Sequence, residues 1–364
     1  MLKTYKYRIY PNKEQKQKID TTIDLCRNLY NAALEHRIYL YKRSGISVTY
    51  NAQQNELPEL KKVLPEYKTV QSQILQDVLR RLDRAYRNFF RRVKQGKKPG
   101  FPRFQSYKRY NSFTYPQSGF SLSGSHLELS KIGNLKVKLH RPVEGIIKTC
   151  TIIRKNGKYY VCFSCEAEDK VIPLTYQNVG IDMGVKEFCI TSDGEMLSNP
   201  RNYRKTEAKL KKQQKTLSRK KKGSNRRRKA VRELANLHEH IANQRKDNAY
   251  KVANYLLSKY DTIVREDLQI DNMVKNRKLS KSISDAGWGI FFNILEAKAK
   301  QAPGKRVIKV DPRNTSQICS GCGQIVNKNL SERTHSCPFC GLTIDRDVNA
   351  AINILNRGLE LAAA

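Results

Sequence analysis

The chain has 364 residues, with 70 Lys or Arg against 33 Asp or Glu, so its formal net charge is +37. An excess of this size costs stability through self-repulsion, and a polyanionic partner, nucleic acid above all, accounts for it. There is no apolar run near the roughly 18 residues of a spanning helix and no signal-peptide pattern. The composition excludes an integral membrane protein and a secreted disulfide scaffold, leaves a cationic membrane-surface protein as the weaker alternative, and predicts two or three domains.

Helices dominate the predicted N-terminal third. Alternation over residues 3–10 predicts a short strand that ends at Pro11. Apolar residues at helical spacing then predict a helix around 19–33 and another over about 70–93. Almost no acid is available to pair with the arginines on the other face of the second helix, so a phosphate-facing surface is at least as good an interpretation as a solvated face. These arginines are Arg80, Arg81, Arg84, Arg87, Arg91 and Arg92.

A change of periodicity marks the next segment. Glycine, proline, aromatic and basic residues at 96–104 end the second helix. From about 111 to 166 apolar and polar residues alternate, and Asn156-Gly157 is a strong signal for a two-residue hairpin. This segment predicts a small antiparallel sheet or barrel. If the strand at 3–10 joins it, residues 11–110 form a helical insertion.

Strands and helices alternate from about residue 178 onward. Predicted strands cover 179–184, 187–191, 261–264 and 307–310, and predicted helices cover 283–300 and the segment that opens at Asp345. Between them, residues 201–232 hold sixteen Lys or Arg against one acid, Glu207. A disordered basic arm is one interpretation, but apolar residues on both sides of Gly223-Ser224 favour a helical hairpin lying on nucleic acid. These are Leu210, Leu217, Val231, Leu234, Leu237 and Ile241.

Four of the nine cysteines form a pattern typical of structural zinc. Cys319-Ser-Gly-Cys322 and Cys337-Pro-Phe-Cys340 are each followed by a glycine, which permits a tight turn that presents two thiolates. Two such turns complete a four-sulfur site with no open position, so the zinc would stabilise the local fold and perform no chemistry. Two redox dithiols are the alternative. Cys162 and Cys165 share the spacing, but an alternating strand points them to opposite faces and predicts a structural role.

Acids at the ends of predicted elements stand out in a chain with few acids. Asp182 lies in Gly180-Ile-Asp-Met-Gly184, Glu266 follows an apolar strand, and Asp345 and Asp347 open the last helix. Carboxylates from two strands and one helix are what a two-metal phosphodiester hydrolase uses, with cations roughly 4 Å apart. A turn residue, a surface residue and a helix N-cap are the ordinary alternatives. Their joint occurrence in this basic chain favours the catalytic interpretation.

Six segments give the sequence a family resemblance. They are Tyr7-Arg-Ile-Tyr-Pro11, Gly100-Phe-Pro-Arg-Phe104, Gly180-Ile-Asp-Met-Gly184, Ser284-Asp-Ala-Gly-Trp-Gly289, Val310-Asp-Pro-Arg-Asn-Thr-Ser316 before Cys319, and Asp345-Arg-Asp-Val-Asn-Ala-Ala351. Over nearly its whole length the chain resembles TnpB, the OrfB-type protein of bacterial insertion elements and a relative of the type V CRISPR effectors. The last three segments together are very specific.

The resemblance implies a multidomain fold of α+β and α/β type. A wedge β-barrel would comprise residues 1–10 and 111–172, with a helical recognition insertion at 11–110. A RuvC nuclease domain of RNase H-like fold would comprise 173–312 and 345–364. A zinc ribbon at 313–344, inserted in the nuclease domain, would bind the target nucleic acid.

The resemblance also implies the metal ligands. The catalytic acids would be Asp182, Glu266 and Asp347, with Asp347 preferred to Asp345 and Glu266 preferred to Asp267 by their places in the family motifs. These three acids would bind two Mg²⁺ ions, with Mn²⁺ as a substitute. The zinc ligands would be Cys319, Cys322, Cys337 and Cys340. Arg265 stands where an apolar residue is more usual, and no loss of activity is expected from it.

The implied activity is RNA-guided cleavage of double-stranded DNA. A guide RNA from the transposon end would pair with the target strand, while the protein reads a short flanking motif and the backbone geometry. The expected assembly is one protein chain with guide RNA and target DNA. It would be cytoplasmic and associated with the nucleoid, and no membrane is expected as a partner. The phosphates of the RNA and DNA would neutralise the excess positive charge of the protein. The predicted contacts are Arg91, Arg92, Lys97, Lys98, Arg103, Arg219, Lys220, Lys221, Arg226, Arg227 and Arg228.

Several aromatic residues have two interpretations. Phe104, Tyr107 and Tyr110 would either stack on bases or, as is more common, belong to the core. Trp288, which has glycines beside it, is predicted to anchor a core.

Three other functions compete with a guided nuclease. A nuclease-inactive guided DNA-binding repressor would be indifferent to loss of Asp182. A transposase, or an accessory to one, would produce strand-transfer products, although the sequence shows no nucleophilic Tyr or Ser motif. A zinc-ribbon nucleic-acid-binding protein would carry the acids without using them. The complete set of three acids favours the nuclease.

Overall fold

The chain forms two compact units, Met1–Glu168 and Asp169–Ala364. The computed structural model describes residues 1–168, 172–329 and 332–363. The parts of the predicted wedge, zinc and nuclease segments at 169–171, 330–331 and 364 therefore lie outside the described residues. No helix in the described ranges is long and apolar enough to cross a membrane.

The first unit packs helices against a single sheet. It begins with β1 (Leu2–Tyr10), as the alternation predicts. The helices are α1 (Lys13–Ser44), α2 (Tyr50–Asn55), α3 (Leu57–Val63) and α4 (Ser72–Lys94), with a 3₁₀ turn at Pro65–Thr69. The remaining strands are β2 (Ser112–Tyr115), β3 (Phe120–Ser123), β4 (His126–Leu129), β5 (Gly133–Lys138), β6 (Ile146–Lys155) and β7 (Lys158–Glu166).

The seven strands pair in the order β2-β6-β7-β1-β5-β4-β3, all antiparallel, so the N-terminal strand joins the later ones. Asn156 and Gly157 connect β6 to β7 with φ values of 53° and 72°. Both lie in the left-handed region that a two-residue hairpin requires, and the predicted hairpin is confirmed. β2 and β3 are the outer strands of this order, and closure into a barrel stays a prediction.

Local signals extend the first helix far beyond the predicted 19–33. Asn12 and Gln15 form a capping box at its start, and Gly45, with φ of 66°, ends it. The buried faces of α1 and α4 belong to the same hydrophobic cluster as the inner face of the sheet, with Ile19, Leu75 and Val161 all fully buried. The helices and the sheet of this unit therefore share one core.

The second unit has a mixed sheet and helices on both of its faces. Its strands are β8 (Asn178–Met183), β9 (Glu187–Thr191), β10 (Met196–Ser198), β11 (Thr262–Glu266) and β12 (Arg306–Val310), paired in the order β10-β9-β8-β11-β12. The helices are α5 (Asn202–Ser218), α6 (Asn225–Lys259), α7 (Ile270–Met273), α8 (Ser280–Ala286), α9 (Trp288–Ala299) and α10 (Arg346–Ala363). A hairpin of β13 (Thr334–Ser336) and β14 (Thr343–Asp345) precedes α10.

The two faces of the second sheet pack against different helices because side chains alternate along a strand. Ile263 belongs to the larger cluster with α6 and α9, whereas Val264 packs with Ile354 of α10. Strands β8, β11 and β12 are parallel, β9 runs antiparallel to β8, and β10 pairs antiparallel with β9.

Two helical segments of the second unit differ in detail from the predicted ones. The predicted basic hairpin is present as α5 and α6, although Val231, expected on its apolar side, is 47% exposed and its neighbour Ala230 is buried. The single helix predicted at 283–300 is wrong. Gly287 adopts φ of 72° and ends α8, so α9 starts afresh at Trp288. Trp288 is buried, which confirms its predicted core role.

Candidate functional site

Strand pairing brings the first two candidate acids together. Parallel strands β8 and β11 are in register with Arg265 beside Ile181. The next residue on each strand is Glu266 and Asp182, so the two carboxyl groups lie at the same level at the carboxyl ends of neighbouring strands. Both side chains lie on the α10 side of the sheet, since Gly180 and Val264, two residues earlier on their strands, contact that helix.

A close approach of α10 supplies the third acid. A Cβ atom on Gly180 would lie 2.0 Å from the carbonyl oxygen of Ala351, so the helix backbone rests directly on β8. Asp182 is two residues further along the strand, about 6.6 Å, and Asp347 is one turn earlier in the helix, about 6 Å. The helix runs back along the strand in the opposite direction, and the two distances are nearly equal. Asp347 therefore lies alongside Asp182.

Gly180→Ala should therefore disturb the site through the backbone. The new methyl group would overlap Ala351 and displace α10, and we expect a loss of about 2–4 kcal/mol in unfolding free energy. Gly289→Ala is the matched control, because its Cβ would make only an ordinary 3.5 Å contact with Ile270. Denaturant unfolding of both variants measures the difference. Equal stability of the two variants would contradict the close packing.

The three carboxyl groups interact electrostatically. Burial raises the pKa of Asp182, and the charges of Glu266 and Asp347 raise it further, to about 7, against the opposing effects of the Met183 backbone and Arg346. Burial also raises the pKa of Glu266, although a hydrogen bond from Thr315 Oγ1 (2.6 Å) and the charge of Arg357 lower it. Carboxyl groups close enough to raise the pKa of a buried neighbour are typical of a functional site.

The acids at the start of α10 have separate roles. Asp345 Oδ1 accepts hydrogen bonds from the backbone N–H groups of Asp347 (2.8 Å) and Val348 (3.2 Å), so it caps the helix. Asp347 is held by two arginines, with Arg333 Nη1 3.2 Å from Oδ2 and Arg346 Nη2 3.2 Å from Oδ1. Asp267 is exposed and lies one residue beyond the end of β11.

The donor set fits hard divalent cations such as Mg²⁺, which prefer carboxylate oxygens. Within the described ranges, only the four cysteines form a group of three or more potential ligands whose donor atoms all lie within 4.8 Å of one another. At least one pair of the three acids therefore has carboxylate oxygens more than 4.8 Å apart. Mutual repulsion and the arginines on Asp347 both favour that spacing.

The four cysteines form a compact cluster. The Sγ atoms of Cys319 and Cys340 are 3.6 Å apart, as are those of Cys322 and Cys337. A tetrahedral zinc with bonds of about 2.3 Å places its sulfurs about 3.8 Å apart, so the cluster has the right size. Burial opposes ionisation of Cys337, but backbone N–H groups of Cys340 and Phe339 and the neighbouring thiols lower its pKa to about 6.

Glycines and α10 shape this cluster. The glycines that follow the two cysteine pairs, Gly323 and Gly341, have φ of 76° and 75°, and their N–H groups bond back to the carbonyls of Cys319 and Cys337. Buried Asn349 of α10 accepts a hydrogen bond from Ser320 N–H at 2.9 Å. The helix that carries Asp347 therefore also holds the first cysteine turn. Cys162 and Cys165 lie on β7 in the first unit, outside this cluster.

Arg265 has a partner on the sheet face opposite α10. Its guanidinium bonds Glu296 of α9, lies 4.0 Å from the centroid of the Phe292 ring and donates to the Glu266 carbonyl at 2.7 Å. Glu296 also pairs with Lys309 at 3.2 Å. The arginine is thus neutralised within the core and leaves the α10 face to the acids.

The predicted phosphate contacts lie in two places. Arg91, Arg92, Lys97, Lys98 and Arg103 are exposed in the first unit, at the end of α4 and in the loop that follows. The others lie at the tip of the α5–α6 hairpin, where Arg219, Lys221, Arg226 and Arg228 are exposed and Lys220 is partly buried.

Arg227 has a structural partner. Its Nη1 donates to the carbonyls of Leu217 (3.0 Å) and Lys220 (3.2 Å) and so stabilises the turn. Among the aromatic candidates, Tyr110 is buried and Phe104 and Tyr107 are more than half exposed.

Sequence reasoning missed one residue that contacts the acids, Arg333, and one that positions the basic hairpin, Asp285. Arg333 did not stand out among 70 basic residues, and only its contact with Asp347 reveals it. Asp285 lies in a segment that was used only for the resemblance. Its carboxylate caps α5 through the N–H groups of Tyr203 (2.8 Å) and Arg204 (3.2 Å).

Comparison with known proteins identifies the family. The OrfB family of IS605 type, described as "Probable transposase", matches residues 162–277, its helix-turn-helix domain matches 1–45, and the Cas12f1-like TNB domain matches 288–354. A "Putative RNA-guided DNA endonuclease" of Streptomyces pristinaespiralis is 36% identical over 99% of this chain and 90% of its own length. The "Putative RNA-guided DNA endonuclease InsQ" of Escherichia coli K12 is 32% identical, covering 100% of this chain and 94% of that protein.

A solved structure shows a similar fold. The mini-RNA-guided endonuclease CRISPR-Cas phi3 aligns with a TM-score of 0.50 and 11% identity over 99% of this chain and 92% of that chain. The sequence identities over the full length show that the chain belongs to the TnpB family, the OrfB proteins of IS605-type insertion elements.

Proposed function

We propose that this protein is an RNA-guided DNA endonuclease that hydrolyses phosphodiester bonds at a site formed by Asp182, Glu266 and Asp347. The observation that carries the proposal is the convergence of these acids from β8, β11 and α10, which raises the pKa of Asp182 to about 7. The names of two relatives that match the whole chain support the same activity.

The three acids would hold divalent cations, Mg²⁺ first and Mn²⁺ as a substitute. Bound by these acids, two such ions would supply activation of a water molecule and stabilisation of the leaving oxygen. Thr315 orients Glu266 through its 2.6 Å hydrogen bond, and Arg333 and Arg346 hold Asp347 from its two sides. The zinc at the four cysteines would have a structural role only.

We assign the proposed domains to the two units as follows. In the first, the antiparallel sheet would be the wedge (1–10 and 111–172) and the helices the recognition insertion (11–110). In the second, the mixed sheet would belong to the RuvC domain (173–312 and 345–364), with the zinc ribbon at 313–344 as its insertion. The guide RNA and the target DNA would be the partners, and their phosphates would neutralise the basic surfaces.

The tip of the α5–α6 hairpin offers a direct test of phosphate binding. Replacing both Arg226 and Arg228 with Gln should reduce the slope of log affinity against log salt concentration by about 1.4–1.8, since each lost phosphate contact contributes about 0.7–0.9. Fluorescence anisotropy with labelled RNA measures this slope. Lys251→Gln, which removes an exposed cation paired with Asp247, is the control and should leave the slope unchanged. An unchanged slope in the double variant would rule out contact at the tip.

The proposed activity is tested by cleavage of a plasmid library with a randomised flank beside a fixed target. The protein is co-purified with RNA from its own transposon end and assayed with and without Mg²⁺, beside Asp182→Ala. Cleavage that requires the RNA, the metal and Asp182 supports the proposal and identifies the flanking motif. RNA-dependent binding without cleavage, unaffected by Asp182→Ala, would overturn it in favour of a repressor.

A further inference from the structure

Four aromatic rings form an exposed cluster in the first unit. We call this cluster the aromatic tip: Tyr86, Phe89 and Phe90 at the end of α4, and Phe101 in the loop that follows. Neighbouring rings have centroids 5.1 to 6.3 Å apart. Phe90 is 55% exposed and Phe101 is 48% exposed. Large apolar side chains grouped on a surface in this way mark an interaction site.

The aromatic tip is built on supports that fix its geometry. The Tyr86 ring lies 5.2 Å from the guanidinium of buried Arg37, which in turn is held by Gln53 at 2.8 Å. Phe101 precedes buried Pro102, and the loop is tied to α1 by two hydrogen bonds between Asn31 and Gln105, of 2.7 and 3.0 Å. The rings are therefore held in place before any partner arrives, which reduces the entropic cost of binding.

The surroundings of the aromatic tip select an anionic partner. Residues 84–104 contain eight Lys or Arg and no Asp or Glu. All eight are exposed, and Arg87 is paired with Asp83 of the same helix at 3.0 Å. Exposed aromatic side chains near many cations suit single-stranded nucleic acid. Its bases stack on aromatic faces, and its phosphates bind basic side chains. The cations are Arg84, Arg87, Arg91, Arg92, Lys94, Lys97, Lys98 and Arg103.

We propose that the aromatic tip stacks unpaired bases of the guide RNA, with Phe90 and Phe101 as the stacking rings. This inference rests on the proposed function, and it adds a place on the protein where bases are bound without sequence readout. RNA is preferred to DNA because an exposed apolar cluster favours aggregation unless a partner covers it for most of the time. In the proposed function, guide RNA must be bound before target DNA can be recognised by pairing, whereas a displaced DNA strand would be present only during cleavage.

The experiment uses the full chain and a short unstructured RNA that carries one 2-aminopurine, whose fluorescence is quenched by stacking. Affinity and quenching are measured across a range of salt concentrations for the wild type, for Phe90→Leu combined with Phe101→Leu, and for Arg91→Gln combined with Arg92→Gln. Tyr176→Leu removes an 84% exposed ring of the second unit and is the matched control. The exposed positions of both phenylalanines predict unchanged melting temperatures.

Stacking and phosphate contact give different results. The phenylalanine variant should lose about 10-fold or more in RNA affinity by the same factor at every salt concentration, together with the quenching, and with no change of salt slope. The arginine variant should instead reduce the slope. Wild-type affinity in the phenylalanine variant, a loss no larger than that of Tyr176→Leu, or a greater effect on the matching DNA strand would each overturn the inference. Absence of RNA binding by the wild type would instead refute the proposed function.

Discussion

Asp182→Asn is expected to abolish DNA cleavage, by about 10³-fold or more, while guide RNA binding stays at the wild-type level. The substitution keeps the size of the side chain but removes the negative charge that lies between Glu266 and Asp347 on the α10 face of the sheet. A two-metal site loses most of its rate when one ligand is neutralised, because the water and the leaving oxygen both depend on the cations. Single-turnover cleavage and RNA binding are measured on the same preparation.

The same substitution should raise the stability of the metal-free protein. The pKa of Asp182 in the folded chain, about 7, lies above its ordinary value of about 4, so the folded state holds a proton that the unfolded chain releases. Wild-type stability relative to Asp182→Asn therefore falls as the pH rises from about 4 to 7 and is constant above that window. At pH 8 we expect the variant to melt roughly 2–5 °C higher, and at pH 4 the two should melt together.

Asp267→Asn is the control for both measurements. Asp267 is exposed and lies next to Glu266, so its replacement should change neither cleavage nor the pH dependence of melting. Added Mg²⁺ should stabilise the wild type and Asp267→Asn but not Asp182→Asn. Full cleavage by Asp182→Asn, or a loss of cleavage confined to Asp267→Asn, would show that the acids have been assigned wrongly.

Cys337→Ser is expected to remove zinc from the protein and to eliminate cleavage as well. Because a four-sulfur zinc site contributes directly to local folding, the variant should melt roughly 10 °C lower. The link to cleavage is structural. The strand β14 ends at Asp345 and α10 begins at the next residue, and Arg333, which bonds Asp347, adjoins β13. Loss of the cluster should therefore loosen the support of Asp347, the third acid of the proposed site.

Metal analysis and calorimetry distinguish this effect from a general loss of a cysteine. Cys162→Ser changes a cysteine with the same spacing on β7, and it should keep one zinc per chain and wild-type cleavage. If Cys337→Ser retained its zinc, the cluster would not be the ligand set. If it lost zinc but cleaved normally, the coupling of the cluster to Asp347 would be refuted.

Most secondary structure could be predicted from the sequence because apolar periodicity and turn residues act over only a few neighbouring positions. Alternation identified β1 and the later strands, and Asn156-Gly157 fixed one hairpin through its backbone angles. The full length of α1 depends on a capping box and a terminal glycine that apolar spacing does not report. The break at Gly287 was missed because apolar residues continue on both sides of it, and only the left-handed backbone conformation separates α8 from α9.

The site was predictable in part for a related reason. Acids are rare in this chain, so Asp182 and Glu266 stood out, whereas Arg333 was hidden among many cations. Separating Asp347 from Asp345 needed the family motif. The structure supplies a physical counterpart, because Asp345 caps the helix with its carboxylate and Asp347 faces the other acids. Long-range contacts such as Gly180 against Ala351 have no signal in a single sequence.

The position of α10 determines when the protein becomes active during its synthesis. Asp182 and Glu266 emerge from the ribosome well before Asp347, and until α10 follows, Val264 and Val310 lack the helix that covers them. A nascent chain therefore has two of the three acids and an exposed apolar sheet face. The folding of α10 supplies the third acid and covers this face at the same time. A chain that ends before residue 346 would keep its basic surfaces but lack the third acid of the proposed site, so we expect it to bind nucleic acid without cleaving it.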